Sequence, residues 1–152
     1  MGEIEIIRAE ETDLDIILQM QYAAFREEAV SFSDYSIEPL LQTKDDLLRE
    51  FSYRVFLKAV HNGSIIGSVR VHMDADTVYI GKLTVKPDYQ NKGLGRRLLR
   101  AAENLFPHTR CELSSAKRMD KNTNLYMHCG YMPFKEVKEE SGRMFVYMEK
   151  YS

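Results

Sequence analysis

The sequence has few of the features that mark a membrane or secreted protein. No stretch approaches the roughly 18 consecutive apolar residues that a membrane-spanning helix needs. Residues 1–5 have neither the basic segment nor the cleavage site of a signal peptide. The only two cysteines, Cys111 and Cys129, are too few for a disulfide framework. We therefore expect a reduced, cytoplasmic protein that does not bind membranes.

The chain also lacks an excess of charge of either sign. It has 21 Lys plus Arg and 23 Asp plus Glu, which gives a net charge of -2. A near-neutral chain does not bind nucleic acid over its whole surface, so we expect no nucleic-acid partner. No second Cys or His stands at zinc-finger spacing, and we expect no metal site. The length of 152 residues predicts one domain over residues 1–152.

The hydrophobic periodicity that is present predicts an α/β (α+β) domain. Its elements follow the order β-α-α-β-β-β-α-β-α-β-β, which favours one mixed, mostly antiparallel sheet of about seven strands with helices on both faces. Asn62 and Gly63 predict a tight hairpin turn, because both tolerate positive φ. The predicted strands cover residues 3–8, 53–60, 64–73, 78–85, 110–115, 131–138 and 144–151. The first predicted helix ends near Ala29, and the other three cover residues 38–50, 93–106 and 120–129.

Residues 83–99 carry the clearest functional signal, a strand followed by a turn with glycines and an amphipathic helix. The first N–H groups of a helix have no intrahelical partner, and the helix dipole attracts anions to them. Gly93 and Gly95 allow a bulky anion to approach the backbone. Lys92 and Arg96 add positive charge at the same point. The segment therefore predicts a site for a phosphate or pyrophosphate.

The glycine pattern is neither a Walker A loop nor a complete dinucleotide fingerprint, because Leu98 occupies the third glycine position of the fingerprint. Residues 90–95, Gln-Asn-Lys-Gly-Leu-Gly, instead resemble motif A of the GNAT superfamily of N-acetyltransferases. Leu83, Val85 and Pro87 precede it in the same pattern. Residues 122–131 resemble motif B of that family, and the order of elements also matches, so the resemblance covers the whole chain.

This resemblance implies transfer of an acetyl group from acetyl-CoA to a primary amine of a small molecule or protein, in one ternary complex. It implies that the N–H groups of residues 90–96 bind the CoA pyrophosphate and that the backbone of residues 83–85 pairs with the pantetheine arm. The fourth strand is expected to bulge and to diverge from the fifth, so that an amide near Leu83 polarises the thioester carbonyl. The expected CoA-binding residues are Leu83, Thr84, Val85, Gln90, Asn91, Lys92, Gly93, Leu94, Gly95, Arg96, Asn122 and Tyr126.

The resemblance also implies roles in the chemistry. Tyr126 matches the tyrosine that protonates the departing thiolate, and a phenol with a pKa of about 10 stays protonated at neutral pH. A packing role for Tyr126 is the alternative. Asn122 matches the motif B asparagine that often contacts CoA, and Asn124 is the other candidate for that position. Tyr79 stands about where many members have a glutamate base, so Glu112 is the substitute candidate, and an exposed strand carboxylate is the other interpretation of it.

Two other functions stay open. The missing glutamate favours a non-catalytic acyl-CoA binding or sensing module, and the phosphate loop alone suits another nucleotide such as ATP or NAD. A homodimer is frequent in the family, and nothing in the sequence fixes an interface. Eight residues of the first two helices and their loop either line the acceptor site or belong to the core and the solvated surface. These are Tyr22, Phe25, Glu27, Glu28, Phe32, Asp34, Tyr35 and Glu38.

Overall fold

The computed structural model describes residues 3–117 and 119–152. Seven strands form one sheet in the spatial order β1-β2-β3-β4-β5-β7-β6. Only β4 and β5 pair in parallel, so the prediction of a mixed, mostly antiparallel sheet is confirmed. The strands are β1 (Ile4–Arg8), β2 (Val55–His61), β3 (Ser64–Asp74), β4 (Thr77–Val85), β5 (Arg110–Ala116), β6 (Met132–Lys138) and β7 (Met144–Tyr151).

Five α-helices occur in the described part of the chain, together with two short 3₁₀ turns. The helices are α1 (Leu14–Phe32), α2 (Glu38–Leu41), α3 (Lys44–Phe51), α4 (Leu94–Glu103) and α5 (Asp120–His128), and the 3₁₀ turns are Glu11–Asp13 and Pro87–Tyr89. No helix in this part of the chain is both long enough and apolar enough to cross a membrane.

The second predicted helix, residues 38–50, is wrong as a single element. The chain is extended at Gln42 and Thr43, and α3 begins after them. The Thr43 side chain accepts a hydrogen bond from the Asp46 N–H, and the Asp46 carboxylate accepts one from the Thr43 N–H at 2.8 Å. This reciprocal capping starts a new helix inside a stretch of helical periodicity. The first helix is also longer than predicted. It continues to Phe32, and the next residue, Ser33, ends it with a left-handed backbone conformation at φ of 51°.

Helices pack on both faces of the sheet, as predicted. Phe56 and Leu57 are neighbours in β2 and therefore point to opposite faces. Leu57 belongs to the larger core, which includes α4 through Leu98. Phe56 belongs to a smaller core with side chains of α1 and α3, such as Leu47. The two faces consequently have separate hydrophobic cores with the sheet between them.

The middle of the sheet is irregular at two places that open a gap. In β4, Lys82 and Leu83 together face the single β3 residue Val69, which makes a β-bulge with Lys82 at φ of 51°. On the other side, β4 pairs with β5 only as far as Tyr79 and Glu112. The second half of β4 therefore has no strand partner on its β5 side among the described residues, and the two strands diverge.

Candidate active site

The loop between β4 and α4 presents a row of free backbone donors. Within the described residues, the N–H groups of residues 91–96 have no hydrogen-bond acceptor. The first helical bond runs from the Arg97 N–H to the Gly93 carbonyl at 3.1 Å. Gly93 has φ of 84°, a conformation that glycine adopts without steric cost. The Gln90 N–H, by contrast, donates to the Pro87 carbonyl at 3.2 Å, so the free donors begin at residue 91 rather than residue 90.

Side chains around this loop fix its position. The Gln90 amide donates to the Val85 carbonyl at 3.0 Å and accepts from the Lys121 ammonium at 2.8 Å, which ties the loop to β4 and to α5. Arg97 donates to a backbone carbonyl of β1 at 3.0 Å, and Arg96 donates to one of α5 at 3.3 Å. Gln90 is therefore a structural member of the loop, and the two arginines also join secondary-structure elements.

The two glycines of this segment serve different purposes. A Cβ at Gly93 would meet no atom within 4 Å, so its role is conformational. A Cβ at Gly95 would lie 3.3 Å from the Leu125 side chain, so this glycine lets α4 and α5 pack closely. Leu94 is 3% exposed, with its side chain in the core while its N–H lies in the row of donors. The Leu94 side chain thus anchors the start of α4.

A cavity of about 1360 Å³ occupies the gap between β4 and β5. Residues 80–83 of β4, residues 114–116 of β5 and two side chains of α5 form one part of its wall. Of the expected CoA-binding residues, the gap brings together Leu83, Asn122 and Tyr126. Thr84 and Val85 continue the same strand outside the cavity lining, toward the phosphate loop. Asn124 is exposed and does not line the cavity, so the geometry favours Asn122 over Asn124.

Tyr126 stands on the cavity wall and is 8% exposed. Burial raises the pKa of its phenol to about 12, and the nearby Cys129 and Glu28 contribute in the same direction. The phenol is therefore fully protonated at neutral pH, which a general acid requires. Its ring also packs against Tyr131, with the ring centroids 6.3 Å apart. The geometry thus accommodates both the acid role and the packing role.

Glu112 does not reach this cavity. Its carboxylate accepts from the Arg110 guanidinium at 2.8 Å, and the same guanidinium donates to Glu149 at 2.8 Å. Tyr79, at the position of the missing glutamate, stacks on His72 with ring centroids 5.0 Å apart and does not line the cavity either. The structure therefore gives Glu112 an ion-pairing partner and provides no geometric support for its use as a base.

The side of the cavity next to α1 contains an ion pair that sequence reasoning missed. Glu28 of α1 accepts from the Arg143 guanidinium at 2.5 Å, and both side chains are 8% exposed. The guanidinium carbon lies 4.6 Å from the Phe32 ring and 5.0 Å from the Phe145 ring. Glu28 was a candidate for the acceptor site, but nothing local points to Arg143, because the partners are 115 residues apart.

A second buried arginine connects the helices of this side to the sheet. Arg70 of β3 is 2% exposed and donates to Gln21, to Gln42 at 3.1 Å and to Glu50 at 3.2 Å. Burial lowers the pKa of Arg70, while Glu50 acts in the opposite direction. Among the candidate aromatic residues, Phe25 lines the large cavity and Phe32 lines a smaller one beside it, whereas Tyr22 donates to the Gln42 carbonyl. No sequence pattern predicted this network.

The chain belongs to the GNAT acetyltransferase family. A sequence model described as the acetyltransferase (GNAT) family matches residues 16–131. Comparison of the sequence with curated proteins gives no significant match. In the described residues, no group of three or more His, Cys, Asp or Glu side chains could hold a metal ion.

Solved structures of this family have the same fold. The PaiA N-acetyltransferase from Thermoplasma acidophilum, in complex with coenzyme A, is 22% identical with a TM-score of 0.82, over 99% of this chain and 100% of that chain. The ribosomal-protein-S18-alanine N-acetyltransferase from Escherichia coli is 17% identical with a TM-score of 0.77, over 98% and 94%. A GNAT family acetyltransferase from Elizabethkingia anophelis with acetyl-CoA bound is 16% identical with a TM-score of 0.71, over 100% of both chains.

Proposed function

We propose that this chain is an N-acetyltransferase that moves an acetyl group from acetyl-CoA directly to a primary amine of a small molecule or protein. The observation that supports it most is the divergence of β4 from β5 beside a row of free N–H groups at residues 91–96. A single extended ligand can place its phosphates at these donors and its other end in the cavity beside Tyr126. Known members of the fold that bind coenzyme A or acetyl-CoA are consistent with this choice of ligand.

The backbone supplies most of the binding in this proposal. The N–H groups of residues 91–96 bind the pyrophosphate, where the dipole of α4 favours negative charge. The unpaired edge of β4 at residues 83–85 bonds to the pantetheine arm as an added strand would. The amide of Leu83, which is one of the two bulge residues, donates to the carbonyl oxygen of the thioester. Acetyl-CoA itself supplies the activated acyl group.

Transfer then needs one proton donor on the protein. The amine nitrogen bonds to the acetyl carbon while the carbon–sulfur bond breaks, and Tyr126 donates its phenolic proton to the sulfur. The proton that the amine loses returns through water to the Tyr126 oxygen, so protons balance over one turnover. An amine that enters in its neutral form requires no carboxylate base, which agrees with the ion-paired state of Glu112.

Replacement of the proton donor tests this proposal. We expect Tyr126→Phe to lower kcat for CoA thiol release by about 100-fold or more, because general acids contribute roughly that factor. Acetyl-CoA should still raise the Tm of the variant, since the phosphate loop is intact. Tyr79→Phe is the matched control, because Tyr79 lies outside the cavity and should retain wild-type rates.

The same assay distinguishes the other two functions. Stabilisation by acetyl-CoA with no thiol release across a broad panel of amines would contradict the proposal and favour the non-catalytic acyl-CoA module. The observation that favours this alternative is that residue 79 is a tyrosine and not the glutamate of many family members. Stabilisation by ATP or NAD and not by CoA would instead identify a different nucleotide ligand.

A further inference from the structure

The buried part of the cavity wall is net positive. Four cationic side chains of the wall are mostly buried, with side-chain exposures of 26%, 2%, 22% and 8%: Arg54, Arg70, Lys82 and Arg143. Only two carboxylates there are similarly buried, Glu28 at 8% and Glu50 at 14%. The remaining carboxylates of the wall are exposed or partly exposed: Asp34, Glu38, Asp46, Glu139 and Glu140. Two further cations of the wall, Arg49 and Lys138, are exposed, so the excess of positive charge is confined to its buried part.

Arg143 lines the same cavity as Tyr126, and its guanidinium makes a single hydrogen bond to the described part of the chain. Its Nη2 donates to Glu28, while its buried Nε has no hydrogen-bond partner among the described residues. Its Nη1 donates to none of the described residues and, unlike Nε, is not among the buried atoms, so it stays accessible. A guanidinium has five N–H donors, and donors that are removed from water without an acceptor cost free energy. An anion in the cavity can accept hydrogen bonds from the accessible Nη1.

The side chain is also held in a fixed orientation in the wall of the cavity that Tyr126 lines. The rings of Phe32 and Phe145 lie beside the guanidinium at 4.6 and 5.0 Å. Phe145 is the register partner of Ala116, at the end of β5 and beyond its last pairing with β4 at Glu112. Tyr126 and Arg143 line the same cavity, and the Glu28 carboxylate acts electrostatically on the Tyr126 phenol. Tyr126 and Arg143 therefore face one cavity, which an acceptor's amine and a second polar group can both enter.

We propose that the acceptor is an amine that also carries a carboxylate, namely an amino acid, and that Arg143 binds this carboxylate. The inference rests on the proposed acetyltransferase function and adds the chemical class of the acceptor. Guanidinium and carboxylate form charge-assisted hydrogen bonds, which an amide or a plain amine cannot reproduce. A diamine or polyamine would instead place a second cation against a buried wall that is already net positive.

The first test needs no variant. Thiol release from acetyl-CoA is measured for a panel of L-α-amino acids, each beside its carboxamide and its decarboxylated amine, together with diamines and polyamines. We expect kcat/KM for the best amino acid to exceed that of its carboxamide by about tenfold or more, as for other charged hydrogen bonds. Equal or higher kcat/KM for the carboxamide, or for a polyamine, would overturn the inference.

The second test assigns the preference to Arg143. Arg143→Lys keeps a cation beside Glu28 but removes the planar fork, and Arg143→Gln removes the charge. Both should raise KM for the amino acid and bring the acid-to-amide ratio of kcat/KM toward one. Arg26→Gln is the matched control, because Arg26 is exposed on the same helix as Glu28 and should leave the ratio at its wild-type value. A wild-type ratio in folded Arg143→Lys would contradict the assignment.

The results also separate this inference from the one beneath it. Thiol release with carboxamides or polyamines but not with amino acids would overturn the acceptor class and leave the acetyltransferase function standing. If none of the acceptors supports thiol release, the acetyltransferase function is overturned and this inference with it. Retained stabilisation of Arg143→Lys by acetyl-CoA shows that the variant is folded, and the wild-type panel decides the acceptor class if Arg143→Gln is unstable.

Discussion

Gly93 and Gly63 provide a matched pair at the residue scale. Their φ values are 84° and 79°, and an added Cβ would meet no atom within 4 Å at either position. Alanine at each should therefore lower the free energy of unfolding by a similar amount, about 1–2 kcal/mol, through backbone strain alone. Gly93→Ala should in addition weaken acetyl-CoA binding, because Gly93 shapes the row of free N–H groups.

Urea denaturation and calorimetric titration with acetyl-CoA measure the two effects separately. Gly63 lies in the β2–β3 hairpin turn, so Gly63→Ala should bind acetyl-CoA with the wild-type Kd. Equal loss of affinity in both variants would mean that general stability, and not the loop conformation, controls binding.

The sequence predicted individual residues well where a local pattern specifies a local conformation. Residues 120–129 were predicted as one helix, and Asn122 and Tyr126 do lie together on α5 and on one cavity wall. The Glu28–Arg143 pair could not be predicted in the same way, because α1 and the loop before β7 are brought together only by the tertiary fold. The prediction that the Gln90 N–H is a free donor is wrong, because the Pro87 carbonyl of the short 3₁₀ turn before it accepts its hydrogen bond.

At the scale of elements, close packing of α4 on the sheet depends on Gly67. A Cβ at this position would lie 2.9 Å from a Leu98 methyl and 3.1 Å from the Thr84 carbonyl oxygen. The backbone oxygen cannot rotate away, so Gly67→Ala should force α4 and β4 outward and cost about 1–3 kcal/mol of stability. Gly81 in β4 is the matched control, because a Cβ there meets nothing within 4 Å.

Denaturation midpoints of the two variants test this packing argument. We expect a clear decrease for Gly67→Ala and little change for Gly81→Ala. If the two variants unfold at the same denaturant concentration as the wild type, the contact between Gly67 and Leu98 is not a tight one.

Element prediction succeeded or failed according to which local signal was strongest. The Asn62 and Gly63 turn has φ of 51° and 79°, as the hairpin signal requires. The stretch over residues 38–50 keeps helical spacing of apolar residues across the break, so periodicity alone indicated one helix. The capping box of Thr43 and Asp46 was visible in the sequence and decides the outcome, because it supplies the N–H partners that begin a new helix.

The free energy of unfolding is a property of the whole molecule, and its dependence on pH reports the buried phenols. Burial raises the pKa of Tyr126 from 10 to about 12, and burial together with Glu103 raises that of Tyr131. The folded chain therefore retains protons that the unfolded chain releases above pH 10. This contribution to stability is complete below pH 10 and is lost between about pH 10 and pH 12 for Tyr126, by up to about 1.4 kcal/mol per pH unit.

Tyr126→Phe removes one such proton, so its free energy of unfolding should fall less steeply with pH than that of the wild type. Urea denaturation at a series of pH values from about 9 to 11 gives the two slopes. This range brackets the pKa of about 10 that the phenol has in the unfolded chain. Tyr35→Phe should keep the wild-type slope, because the Tyr35 ring is 61% exposed. Identical slopes for Tyr126→Phe and the wild type would mean that the phenol reaches solvent in the folded state. That result would leave the proton-donor role to the kinetic test alone, because a phenol with its ordinary pKa of about 10 is also protonated at neutral pH.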